Sequence, residues 1–206
     1  MSTTRLLLIR HAEVEERYQG IFGGTIDMNL SARGHTQAAA LARFLSGRHL
    51  DAIYASPMKR VQQTLAPLLV SGAPPPIILP NLHEVDFGDW TGLSFRQVKE
   101  KFGAEAYTWL DMFEAGRIPN AETLDGYRAR VESCVQEVLR GHPGKTVAVF
   151  CHGGVTRMIL AILFNFRLAQ TAAFQIEYAS VTEVILKPEY SEIHSLNITP
   201  WRDLKP

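Results

Sequence analysis

The chain carries 2 cysteines in 206 residues, Cys134 and Cys151, too few for a disulfide framework. Cys151 follows directly on the apolar run 147–150, the position of a small buried hydrophobe. An excess of one charge is also missing, because 21 Lys and Arg balance 21 Asp and Glu. Without a basic excess there is no electrostatic footprint for nucleic acid, and no nucleic-acid partner is expected. A small anionic ligand stays open, since it needs only a local cluster of cations. No apolar run approaches the ~20 residues of a membrane span. The run nearest the N-terminus, residues 6–9, is too short for a signal-peptide core. The expectations are a cytoplasmic protein with no membrane partner. Linkers, internal repeats and low-complexity tails are absent too. At 46% hydrophobic and 20% charged residues the mixture is that of an ordinary globular protein, expected as one domain over 1–206.

What is present is a strand–helix rhythm. Residues 5–10 (RLLLIR), 51–55 (DAIYA) and 146–151 (TVAVFC) are short, apolar and β-branched or aliphatic, as buried parallel strands are. Residues 77–79 continue the series after the break GAPPP at 72–76. Helical spacing covers 30–45 with Ser31 as N-cap, 57–69 with Pro57 in the first turn, 125–140, and 155–164. Residues 95–117 carry apolar positions at helical spacing and interrupt the rhythm, which predicts a helical lid or insert at about 93–123. Residues 174–178, 181–186 and 192–198 alternate or are β-branched and predict closing strands. The pattern predicts an α/β fold, with a mainly parallel central sheet covered by helices on both faces.

In such sheets ligands bind beyond the carboxyl ends of the strands. The first strand ends in Arg10-His11, the second leads through Ser56-Pro57 to Lys59-Arg60, and another ends in His152-Gly153-Gly154. Glu84 follows the strand at 77–79. This convergence suits phosphoryl transfer. Arginine binds phosphoryl oxygens with a planar fork and stays charged at working pH. A neutral imidazole can attack phosphorus and form a covalent intermediate. A second histidine can donate to oxygens on which charge builds. A carboxylic acid can protonate the leaving alkoxide. Glycines at a helix start let backbone N–H groups face an anion.

The run Leu8-Ile9-Arg10-His11-Ala12-Glu13 resembles the signature of the histidine phosphatase superfamily, the phosphoglycerate mutase-like clan. The resemblance continues through Asn29-Leu30-Ser31-Ala32-Arg33-Gly34-His35 and Ser56-Pro57-Met58-Lys59-Arg60. It runs on through Leu82-His83-Glu84-Val85-Asp86-Phe87-Gly88-Asp89-Trp90 and Phe150-Cys151-His152-Gly153-Gly154, nearly the whole chain. It implies a three-layer α/β/α sandwich, with His11 as the phosphorylated nucleophile. Glu84 would be the proton donor and later the base for water, with Arg10, Arg60 and His152 forming the phosphate pocket and Gly153 beside it. The family's step needs no metal, and no cofactor is expected. A zinc site on His11 and His152 is disfavoured by the neighbouring arginines and the lack of metal-motif spacing.

The chain departs from the family at Ala12, where glycine is usual; a methyl group fits there if φ is negative. Arg17 falls where many members place a phosphate-touching Asn, and Gly23 where mutases often have Ser. Arg17 is expected to fold over the pocket as a third cation, and Gly23 to border the substrate. His35 and His83 are expected at the surface or behind the site.

Phosphate monoester hydrolysis is favoured over the phosphoglycerate mutase alternative. The insert is modest for a segment that must seal a phosphoenzyme from water, and it lacks paired arginines for a carboxylate. The insert resembles that of α-ribazole phosphatase-type members, and its Tyr107, Trp109 and Phe113 fit either stacking on a nucleoside-like leaving group or, at least as well, core packing of an amphipathic helix. The expected partner is a small phosphorylated metabolite, such as a nucleoside-like or sugar phosphate. An inactive phosphate-binding protein is the alternative from another class. His11 must be neutral to attack and Glu84 protonated to donate, which predicts an acidic to neutral optimum.

Overall fold

A computed structural model describes residues 3–203 of the chain. Its six strands are β1 (Thr4–Arg10), β2 (Ala52–Ala55), β3 (Pro76–Ile78), β4 (Thr146–Cys151), β5 (Val181–Leu186) and β6 (Ser191–Ile198). They form one sheet in the order β3-β2-β4-β1-β5-β6. The β3-β2, β2-β4 and β4-β1 pairs are parallel. β5 and β6 join antiparallel beyond β1.

The continuous apolar character of β1 has a direct cause. Leu6 and Leu8 enter the core on one face of the sheet, and Leu7 and Ile9 the core on the other. β4 divides in the same way, with Val147 and Val149 on one face and Ala148 and Phe150 on the other. Each such side chain contributes about 1.5–3 kcal/mol on burial. Helices α1 (Ala32–Ser46) and α2 (Lys59–Val70) cover one face through Leu41, Leu45, Val61 and Leu65. Helices α5 (Leu124–Gly141) and α6 (Gly153–Phe164) cover the other through Val131, Val135, Met158 and Ile159. The result is the expected three-layer α/β/α sandwich. The last helix, α7 (Pro200–Asp203), packs against α1.

Residues 93–123 hold α3 (Phe95–Phe102) and α4 (Trp109–Glu114). They do not stand apart from the body. Val98, Leu110, Phe113 and Ile118 belong to the same buried cluster as Tyr127 and Val131.

Three local expectations are corrected. Residues 174–178 form no strand, because β5 occupies the position beside β1. The backbone there serves another purpose, with the Ile176 carbonyl accepting from Arg10 Nη1 at 2.6 Å. Pro57 lies outside α2, whose N-cap is Met58. α6 begins at Gly153, two residues before the expected start, since β4 ends at Cys151 and His152 is the N-cap. Ser31 caps α1 as expected, accepting from the Gly34 N–H at 2.9 Å.

Candidate active site

β1, β2 and β4 deliver His11, Ser56 and His152 to one rim of the sheet, all three buried. Beside them opens a cavity of about 230 Å³ lined by Arg10, His11, Gly23, Arg60, Glu84, Gly153 and Arg157. Three guanidinium groups thus face one carboxylate in a chain whose net charge is zero.

The loop carrying His11 is tied to α1 and α2. The Ala12 N–H donates to Thr64 Oγ1 at 2.9 Å, and the Glu13 N–H to Gln37 Oε1 at 2.9 Å. Ser31 Oγ donates to Glu13 Oε1 at 2.7 Å. Ala12 is fully buried and does not take a positive φ, so its methyl group is accommodated.

His11 Nδ1 lies 2.8 Å from the Ala12 carbonyl. A carbonyl only accepts, so in the neutral ring Nδ1 carries the proton and Nε2 keeps its lone pair. Burial, then the charges of Arg60 and Arg10, hold the imidazole pKa well below its ordinary value, while the bond to Ala12 opposes them. The ring is therefore neutral at pH 7.

Arg60 is 2% exposed. Such a buried cation requires partners, and it donates to the carbonyls of Ile26 (2.6 Å) and Gly24 (3.1 Å). Its Nε donates to His152 Nδ1 at 3.2 Å. Accepting at Nδ1, the neutral His152 ring carries its proton on Nε2, 2.8 Å from Ser56 Oγ. Burial and the Arg60 charge hold the His152 pKa well below normal. His152 is thus engaged at both ring nitrogens, behind the cavity wall rather than in it.

Arg10 lies under the Tyr178 ring, 4.1 Å from its centroid. Its buried Nε has no hydrogen-bond partner. Arg157, which the sequence reading missed, comes from the second turn of α6 and donates through Nη1 to the Thr171 carbonyl. Burial, then the Arg10 charge, pull its pKa down. One signal was available: it lies four residues after Gly153, one helical turn further along the same face.

Glu84 Oε1 accepts from the Val85 N–H at 3.0 Å and Oε2 from the Gly154 N–H at 3.1 Å. Of the two glycines expected to face an anion, Gly154 therefore serves Glu84. A Cβ at Gly154 would lie 2.5 Å from Glu84 Oε1 and 3.1 Å from the Tyr127 hydroxyl. That hydroxyl is buried without a partner, and burial followed by the Glu84 charge raises its pKa well above normal.

Other expected residues fall elsewhere. Arg17 is 67% exposed, pairs with Glu15 at 3.0 Å and stands outside the cavity wall. Its guanidinium lies over Tyr18 instead, because the short 3-10 turn at Glu16–Tyr18 buries no residue and aims Arg17 outward. Lys59 pairs with Asp27 at the surface. His35 is exposed, and His83 Nδ1 donates to the Glu84 carbonyl at 2.8 Å. Tyr107 is 78% exposed and Phe113 is in the core, so of the three insert aromatics only Trp109 lines the cavity. Burial pushes the Cys151 thiol up to about 12, which makes it an inert core residue. Among the described residues, no group of three His, Cys, Asp or Glu could hold a metal ion, and no helix is long and apolar enough to cross a membrane.

A neutral histidine among arginines at the strand ends, facing a carboxyl group, is an arrangement suited to phosphoryl transfer. The chain matches the histidine phosphatase superfamily (branch 1) over residues 6–199 and belongs to that family. It is 32% identical to phosphoserine phosphatase 1 of Hydrogenobacter thermophilus, covering 95% of this chain and 92% of that one. It is 25% identical to the adenosylcobalamin/alpha-ribazole phosphatase of Escherichia coli, covering 94% and 95%. A mycobacterial glucosyl-3-phosphoglycerate phosphatase has the same fold, with a TM-score of 0.84 at 23% identity over 95% and 99% of the two chains. The chain is a phosphatase of this family.

Proposed function

We propose that His11 is the nucleophile of a metal-independent phosphomonoesterase that acts on small phosphorylated metabolites. The observation that carries this reading is the fixed tautomer of His11, neutral and with Nε2 unprotonated at the cavity wall. Nε2 attacks phosphorus, the ester P–O bond breaks, and Glu84 gives its proton to the departing oxygen. The Glu84 carboxylate then takes a proton from water as that oxygen attacks phosphorus. The P–N bond breaks and inorganic phosphate leaves.

Arg10, Arg60 and Arg157 bind the phosphoryl oxygens, with the unpartnered Arg10 Nε and the Gly153 N–H contributing donors. A phosphoryl dianion beside His152 raises its proton affinity, turning Nδ1 from acceptor to donor as the Arg60 Nε bond is released. Gly23 borders the leaving group, and Arg17 is assigned no contact with it.

Much of the rest of the wall is apolar, with Phe22, Met28, Phe87, Phe95 and Trp109 among its residues. Phe22 packs edge-on against Phe87 and Phe95, and Phe87 against Trp109. Outside the phosphate cluster the wall offers no cation for a carboxylate. That favours hydrolysis over a mutase reaction, and an aromatic or nucleoside-like leaving group, as in α-ribazole 5'-phosphate, over phosphoserine.

The test is p-nitrophenyl phosphate hydrolysis in EDTA by the native chain and by His11→Ala. Activity should survive the chelator and drop by about 10³-fold or more in the variant, and rapid acid-free trapping should find phosphate on His11. Activity lost to EDTA, or kept by the variant, sinks the reading. A higher kcat/KM on phosphoserine than on α-ribazole 5'-phosphate would reverse the substrate assignment.

A further inference from the structure

Glu84 stands on irregular backbone between the short turns Pro80–Leu82 and Gly88–Trp90. A general acid must hold its proton within hydrogen-bond reach of the leaving oxygen, so something outside the loop must fix it. The Arg130 guanidinium, from the middle of α5, does so. Its Nη1 donates to the carbonyls of Asn81 at 2.7 Å and His83 at 2.8 Å. Its Nη2 donates to the carbonyl of Glu84 itself at 3.2 Å.

The same guanidinium makes a bidentate pair with Glu122, Nε to Oε2 at 2.9 Å and Nη2 to Oε1 at 2.7 Å. Glu122 Oε1 also accepts from the Asp86 N–H at 2.8 Å, and the Asp86 carbonyl accepts from the Glu122 N–H at 3.2 Å. The loop is gripped on both sides of Glu84. The Tyr127 ring lies beneath the guanidinium, 4.6 Å from its carbon. Both partners are largely buried, at 12% and 18% exposure, and neither lines the cavity.

We propose that the Arg130–Glu122 pair is a positioning device for leaving-group protonation, fixing where the Glu84 carboxyl meets the departing oxygen. This rests on Glu84 being the general acid. Neither residue touches substrate; they act through the main chain of 81–86. Only a planar fork can serve Glu122 and three carbonyls together, which is why arginine stands there. Loosening the loop should harm substrates in proportion to their need for a proton, and should leave nucleophilic attack by His11 unchanged.

The experiment compares two leaving groups in single turnovers. β-Glycerophosphate expels an alkoxide that needs protonation; 2,4-dinitrophenyl phosphate expels a phenolate that leaves without it. Arg130→Met keeps the aliphatic stem and removes every donor, and Glu122→Gln keeps the volume and removes the charge. Each folded variant, checked by its thermal melt, should lose about 10–100-fold with β-glycerophosphate and less than about twofold in dinitrophenolate release. If Arg130→Met does not fold, Glu122→Gln carries the same expectation. Equal loss on both substrates, or loss on neither, overturns the proposal. Glu84→Gln separates the two failures: without a leaving-group-dependent loss there, the assignment of the acid falls, and the positioning role with it.

Discussion

His11 follows directly from β1, a strand paired along its length with β4 on one side and β5 on the other. Its backbone N–H donates to the Cys151 carbonyl and its carbonyl accepts from the Ala179 N–H. Glu84, across the cavity, has no ladder beneath it and depends on groups from elsewhere, the Arg130 and Glu122 side chains for its backbone and the Gly154 N–H for its carboxylate. The difference suits the roles proposed for the two groups. A nucleophile needs one fixed line of attack, which the end of a paired strand supplies, with Thr64 and Gln37 holding the two residues that follow. An acid that later becomes a base faces first the leaving oxygen and then a water, and its placement is adjustable from outside the sheet.

The largest break in this comparison should come from Gly154→Ala. The backbone there tolerates alanine, but the new Cβ would stand 2.5 Å from Glu84 Oε1. Moving the carboxylate aside should lower kcat on alkyl phosphates by about 10²-fold, with phosphorylation of His11 by dinitrophenyl phosphate nearly intact. Retained alkyl phosphatase activity would show that Glu84 moves freely.

Next in size is the response of stability to pH. His11 and His152 both titrate well below an ordinary imidazole when folded, through burial first and arginine charge second. The unfolded chain binds protons near pH 6.5 that the folded chain refuses, so stability is full above that pH and falls below it. Each ring contributes up to about 1.4 kcal/mol per pH unit. Urea melts between pH 7.5 and 5 should show this slope, and His11→Asn should flatten it by up to one proton. An unchanged slope would place the His11 pKa near normal.

Trp109→Ala should raise KM for aryl phosphates by about 3–10-fold and leave β-glycerophosphate kcat unchanged, since the ring forms cavity wall and touches no reacting atom. Equal effects on both would mean the wall does not meet the leaving group. The smallest effect belongs to Arg17→Ala, within about twofold in kcat/KM, as expected for an exposed ion pair. A large loss would mean Arg17 reaches the phosphate.

The sheet was legible because β1, β2 and β4 are buried on both faces and carry unbroken apolar runs. The strand ends and the segments after them pointed to His11, Arg60, Glu84 and His152, of which the first three line the cavity. Residues 174–178 misled because their alternation serves the cavity, into whose wall Ile176 and Tyr178 both project. Arg157 was hidden as one cation in an apolar helix, and Arg17 was overvalued because proximity in sequence to His11 says nothing of which way a short 3-10 turn aims a side chain. The Arg130–Glu122 pair was unreadable, since its meaning lies in four main-chain atoms that only folding brings near.

The cavity has two halves of different origin. Its charged half comes mainly from Arg10, His11, Arg60 and Arg157, set by the sheet and its flanking helices, with Glu84 held from α5 and α6. Its aromatic half comes from Phe22, on the loop between β1 and α1, and from Phe87, Phe95 and Trp109, on loops and short helices between β3 and α5. A lineage can therefore trade one leaving group for another by rewriting the second half while inheriting the first untouched, so selectivity drifts as chemistry stands still.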